Sequence, residues 1–153
     1  MALYFVQHGL SASKDQDPEQ GLTEIGMDEV KFIAQAAKGY QVPVGTIFHS
    51  QKKRAAQTAE LLSAALQSDK DIQQITGIKP LDDVKAFAAT LTCAGNSMYV
   101  GHLPFMEKLT SYLVAGSTDL TVFKFQNGGI VCLDQGSDGS TWFIKWSLMP
   151  HIS

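Results

Sequence analysis

His8, Arg54 and His102 are the residues of this chain whose types and placement could do chemistry together. Each sits just past a short apolar run. They stand in Gln7-His8-Gly9, in Ser50-Gln51-Lys52-Lys53-Arg54-Ala55-Ala56-Gln57-Thr58-Ala59, and in Val100-Gly101-His102-Leu103-Pro104. If the apolar runs are neighbouring strands, the three side chains meet on one edge of a sheet, where open α/β folds place their ligands. Two imidazoles and a guanidinium gathered there would make an anion-binding site able to transfer a phosphoryl group.

The elements that must position these residues can be read along the chain. Leu3 to Val6 is a continuous apolar run, as expected of a strand buried on both faces. Thr23 reads as a helix N-cap, followed by Val30, Ile33, Ala34 and Ala37 at helical spacing, with Gly39 as the stop. Val44 to Phe48 reads as a second strand. Ser50 is placed either to cap the next helix or to add a hydroxyl to the site; that helix carries Ala55, Ala59, Leu62 and Leu66 on one face. Pro80 breaks the chain, and Asp82 or Asp83 caps a third helix running to about Leu91. Ser97 to Val100 is a further strand. Pro104 fits the first turn of a helix over Phe105 to Val114 that ends at Gly116.

The remainder changes character. Leu120–Phe125, Gly129–Leu133 and Thr141–Trp146 read as strands, with hairpin signals at Asn127-Gly128-Gly129 and Ser137-Asp138-Gly139-Ser140. The order predicts an α/β domain over residues 1–153, a three-layer α/β/α sandwich around a mixed, mostly parallel sheet.

Composition narrows the function classes. The chain has 153 residues, 44% of them hydrophobic and 18% charged, enough for a sizeable core without disulfides or metal. A net charge of -3 argues against a nucleic-acid partner. Cys93 and Cys132 lie in no metal-ligand spacing, so no metal and no cofactor is expected. No apolar run is long enough to span a membrane, and the N-terminal run reads as a strand rather than a signal peptide; a cytoplasmic protein is expected.

The three segments resemble, in order and spacing, the histidine phosphatase superfamily with its phosphoglycerate mutase-like fold. The ending Gly101-His102-Leu103-Pro104 is similar to the SixA type, the phosphohistidine phosphatases. The resemblance implies that His8 attacks phosphorus in line and becomes phosphohistidine, which water then hydrolyses. It implies that Arg54 and His102 stabilise the developing charge. Gln7, Gly9, Ser50 and Gly101 would complete the phosphate pocket. Chemistry at His8 needs a neutral ring whose second nitrogen is held by a carbonyl, and Gly9 lets the chain turn closely there.

Gln7 departs from the family's Arg-His-Gly hallmark. Glutamine keeps a donor but loses the charge and the fork, which costs on the order of 100- to 1000-fold in rate. Lys14, Lys52 or Lys53 would be the residues to compensate. A second departure concerns the proton donor for an alcohol leaving group. Gln73 to Pro80 holds no carboxylate, and helix capping is the expected role of Asp82 and Asp83. Phosphohistidine needs no such acid, because its imidazole leaves already protonated. Only about forty residues join the arginine helix to the second histidine strand, which suits an open site and a phosphorylated protein substrate. The expected partner is therefore a protein bearing a phosphohistidine domain. The alternatives are a phosphatase of small phosphate esters, and a binding module weakened by Gln7.

Overall fold

The computed structural model describes residues 1–66 and 72–152. Six strands form one sheet in the order β3-β2-β4-β1-β5-β6. The strands are β1 (Leu3–Gln7), β2 (Ile47–His49), β3 (Gln73–Gln74), β4 (Met98–Gly101), β5 (Ile130–Gln135) and β6 (Trp142–Leu148). The helices are α1 (Glu24–Gly39), α2 (Lys53–Leu66), α3 (Val84–Ala88) and α4 (Phe105–Ala115). The pairs β3–β2, β2–β4 and β4–β1 are parallel; β1–β5 and β5–β6 are antiparallel. The mixed sheet with helices packed on both faces is the expected three-layer α/β/α arrangement.

Alternation along the strands sends side chains to two cores. Tyr4 and Val6 of β1, Met98 and Val100 of β4, and Ile130 and Cys132 of β5 meet Val30, Ile33 and Ala37 of α1 and Ala55, Ala59 and Leu62 of α2. The opposite residues, Leu3, Phe5, Val131 and Leu133, meet Val84 of α3 and Phe105, Met106 and Leu109 of α4. Leu3, Phe5 and Val6 are fully buried, which is why β1 reads as a continuous apolar run rather than an alternating one.

Local signals place most boundaries. Thr23 caps α1, accepting from the Gly26 N–H. Asp83 caps α3, accepting from Ala86 N–H. α4 begins after Pro104 and stops at Gly116, whose left-handed φ of 75° lets its N–H reach Tyr112 O. The turn at 137–140 joins β5 to β6 as a hairpin.

Several expectations are corrected. Leu120–Phe125 is not a strand. Both sides of β1 are taken by β4 and β5, and the segment instead lies along α4, where Phe125 N–H donates to Glu107 Oε2 at 2.9 Å. Phe123 and Phe125 pack edge to face beneath it. Asn127-Gly128-Gly129 is accordingly a turn that delivers the chain to β5, not a hairpin; Gly128 N–H donates to Gln7 O at 2.9 Å. β2 starts at Ile47 rather than Val44, and α3 ends at Ala88, its continuation to Leu91 being single turns. The two-residue β3 falls where no strand is expected from sequence. Ser50 stands three residues ahead of α2 and does not cap its first turn.

Gly26 links this scaffold to the loop after β1. A Cβ there would lie 2.1 Å from the Leu10 carbonyl oxygen, a backbone atom that cannot rotate away. Gly26→Ala gains about 1 kcal/mol of helix propensity and loses about 1–3 kcal/mol to overpacking. A net loss of stability is expected in urea unfolding, with the loop carrying His8 and Gly9 displaced; an unchanged or raised midpoint contradicts this.

Candidate active site

The site stands at the C-terminal ends of β1, β2 and β4. Gln7 pairs with Gly101 and His49 with Val100 in the parallel register. One residue further, His8 N–H donates to Gly101 O at 3.0 Å and Ser50 N–H to Val100 O at 3.2 Å. The backbone thus sets His8, Ser50 and His102 side by side before any side-chain contact forms. Gly101 must lack a side chain, since a Cβ would come 2.9 Å from Met106 Sδ. At Gly9 a Cβ would come 2.8 Å from Val30 Cγ2.

The His8 and His102 rings lie 5.0 Å apart, tilted by 55°. His8 Nδ1 is 2.7 Å from Gly9 O. A carbonyl can only accept, so Nδ1 carries the proton and Nε2 is left with a lone pair. Burial pushes the His8 imidazole below the ordinary histidine value; the Gly9 bond opposes this and the Arg54 charge adds to it. His102 is 2% exposed. Burial first, then the charges of His8, Arg54 and Lys52, lower it to about 3. Both rings are therefore neutral at pH 7. His102 Nε2 is 2.6 Å from Ser50 Oγ, while its Nδ1 is buried without a partner.

Arg54 lies in the first turn of α2, half-buried, and burial lowers its guanidinium from the ordinary value. Among the described residues it has no carboxylate partner, although its charge reaches both histidines. The neighbouring Lys53 is engaged by Asp17 at 3.7 Å and Glu19 at 3.3 Å, so its charge is spent. Lys14 and Lys52 are exposed. Gln7 ends β1 with its Oε1 buried and unpartnered.

All seven residues expected from sequence gather at this edge. Three others support them. Thr58 Oγ1 accepts from Gly9 N–H at 2.9 Å and donates to Arg54 O at 2.8 Å, tying the loop that carries His8 to the turn that carries Arg54. Gln57 Oε1 accepts from Leu22 N–H at 2.7 Å, and Asn127 Nδ2 donates to His8 O at 3.1 Å. Gln57 and Thr58 stand inside the arginine segment; Thr58, a polar residue bordering the apolar face of α2, was the legible signal, and Gln57 lies off that face. Asn127 leaves none. Asp82 and Asp83 are both turned to backbone, accepting from Lys79 and Ala86 N–H. Among the described residues no carboxylate shifts the titration of either site histidine. Among the described residues no cluster could hold a metal ion, and no helix is long and apolar enough to cross a membrane.

A fold with a neutral histidine pair and an unpaired arginine at its parallel strand ends defines a phosphoryl-transfer class. The sequence profile of the histidine phosphatase superfamily (branch 1) matches residues 3–82, and the chain belongs to that superfamily, a family of phosphatase hydrolases. The phosphohistidine phosphatase SixA of Escherichia coli is 26% identical over 156 residues, covering 98% of this chain and 94% of the relative. An uncharacterized protein of Picosynechococcus is 30% identical over 145 residues, covering 90% and 87%. Among solved structures, protein histidine phosphatase SixA complexed with tungstate superimposes with a TM-score of 0.85 at 24% identity, over 98% of this chain and 97% of that one. A phosphoserine phosphatase from Entamoeba histolytica, in complex with phosphoserine, gives 0.72 at 16% identity, over 98% of each.

The lowered His102 value has a consequence for stability. As pH falls below 6.5 the unfolded chain binds a proton at this residue, while the folded chain resists until about 3. Stability present above the unfolded value is lost across that window. His102→Gln is expected to make unfolding free energy fall less steeply between these limits, measured by urea titration at several pH values. An identical pH dependence in both proteins contradicts it.

Proposed function

We propose that residues 1–153 act as one phosphatase domain that removes phosphate from a phosphohistidine side chain of a partner protein. His8 Nε2 forms a bond to phosphorus as the substrate's P–N bond breaks, and the leaving imidazole departs with the proton already on its other nitrogen. Water then attacks the phosphohistidine at His8, loses a proton and releases phosphate, restoring the lone pair on Nε2. Arg54, with no competing carboxylate, and His102 hold the phosphoryl oxygens, within a pocket bounded by Gln7, Gly9, Ser50 and Gly101.

The observation that carries the substrate class is the use of Asp82 and Asp83 as backbone caps. With both turned to backbone, and no carboxylate among the described residues shifting either histidine, the site favours a leaving group that needs no general acid. A phosphoramidate needs none. The likeness to SixA, named a phosphohistidine phosphatase, supports the same substrate. On this reading the reaction runs without a cofactor, nucleic acid or membrane, and the cytoplasm is the setting we propose.

Gln7 favours a second reading, a phosphate-binding module with little turnover. Its buried, unpartnered Oε1 supplies no charge where the family hallmark has a guanidinium.

Phosphate release from a phosphohistidine protein separates the two. Wild type is expected to turn over and His8→Ala to be inactive. Gln7→Arg is expected to raise kcat by about 100-fold. Preference for a phosphate ester such as phosphoserine overturns the substrate class. Silence of wild type, with activity appearing in Gln7→Arg, selects the binding module; silence in both overturns the phosphatase.

A further inference from the structure

The contact between Ser50 and His102 is the closest polar side-chain pair in the site, and its direction can be settled by hydrogen-bond accounting. Both side chains are 2% exposed, so water does not satisfy what they leave unpaired. Ser50 Oγ stands 2.6 Å from His102 Nε2 and also accepts from the backbone N–H of Lys52 at 3.4 Å. His102 Nδ1 is buried with no partner.

Two arrangements fit the distances. If His102 Nε2–H donates to the hydroxyl oxygen, the serine proton has no acceptor among the described residues. Nδ1 is then also left as an unpartnered lone pair, which makes two orphaned groups. If the Ser50 hydroxyl donates to Nε2, its oxygen keeps the Lys52 N–H and its proton is used. One orphan remains, the N–H at Nδ1. Buried polar groups are paired wherever geometry allows, so the second arrangement prevails.

We propose that Ser50 is a positioning residue: its hydroxyl donates to His102 Nε2 and holds that ring as the neutral Nδ1–H tautomer. This rests on the phosphatase reading for its purpose. On that reading an Nδ1–H, rather than a lone pair, is what this ring would offer an anionic phosphoryl oxygen once substrate binding reaches the buried Nδ1. Ser50 therefore acts through His102 rather than as a phosphate ligand itself. The hydroxyl also opposes protonation at Nε2, in the same direction as burial and the charges of His8, Arg54 and Lys52 that face this ring.

The tautomer is read directly in long-range proton–nitrogen spectra of nitrogen-15-labelled protein, with His102 assigned by His102→Gln. Wild type is expected to show a protonated Nδ1 and an unprotonated Nε2. Ser50→Ala is expected to lose that pattern, to titrate at higher pH, and to bind inorganic phosphate or vanadate about tenfold more weakly. Ser50→Thr, which keeps the hydroxyl, is expected to restore all three. Wild type in the Nε2–H form overturns the proposal without any variant. So does a Ser50→Ala protein with wild-type tautomer, titration and anion affinity. Because the tautomer is measured without turnover, its failure is distinct from failure of the phosphatase reading, which shows as no phosphate release from wild type while the tautomer stands.

Discussion

The parallel register of β1, β4 and β2 is the constraint on which the rest of the structure depends. Gln7 opposite Gly101 and Val100 opposite His49 bring three strand ends level. The next backbone bonds, from His8 to Gly101 and from Ser50 to Val100, extend that alignment one residue past the sheet. A slip of one residue would send each of these side chains to the other face of the sheet. The two apolar cores prevent it, because the same slip would exchange Tyr4 and Val6 with Leu3 and Phe5 across helices of different shape. Burial of aliphatic and aromatic side chains thus fixes the placement of imidazoles that contribute nothing to it.

The electrostatics follow from that placement. Among the described residues the site holds one guanidinium, two histidines kept neutral chiefly by burial, and no carboxylate shifting either. The neighbouring positive charges act in the same direction as burial, so both rings titrate low. The segregation is local. Lys53, the residue before Arg54, points to Asp17 and Glu19, so two adjacent cations are divided between a surface pair and the site. Thr58 links the Arg54 backbone to Gly9 through two bonds, joining the first turn of α2 to the loop after β1.

Elements with strong local signals were legible in the sequence. β1 declares itself by continuous apolarity, α1 by Thr23 and a helical stripe, and α4 by Pro104 and Gly116. The gathering of the seven expected residues at one sheet edge was legible from the ends of elements: Gln7 and Gly101 close β1 and β4, His8, Ser50 and His102 follow strands, and Arg54 stands in the first turn of α2. What was not legible depends on partners distant in sequence. β3 consists of two exposed glutamines that pair only because β2 offers a free edge. Leu120–Phe125 has strand composition, yet no edge is left for it beside β1 and its aromatic rings find α4 instead. Ser50 has the chemistry of a cap, but the bend after β2 turns its hydroxyl toward His102, 52 residues away. In each case tertiary competition for a hydrogen-bonding group overrode the local preference.

Gln7 sits where these threads meet. Its backbone is held from both sides, paired with Gly101 in the sheet and accepting from Gly128 N–H across the turn before β5. These bonds are made by the backbone, so they do not depend on the identity of the side chain at this position. What changes is charge. An arginine here would stand beside Arg54 and two buried imidazoles, adding a second like charge to a site that already suppresses protonation. Glutamine relieves that repulsion in the absence of substrate and forfeits attraction once a phosphoryl group arrives. On the proposed phosphatase reading, that leaves Arg54 as the guanidinium of the site, with the orientation of His102 and a leaving group that needs no acid carrying more of the catalysis.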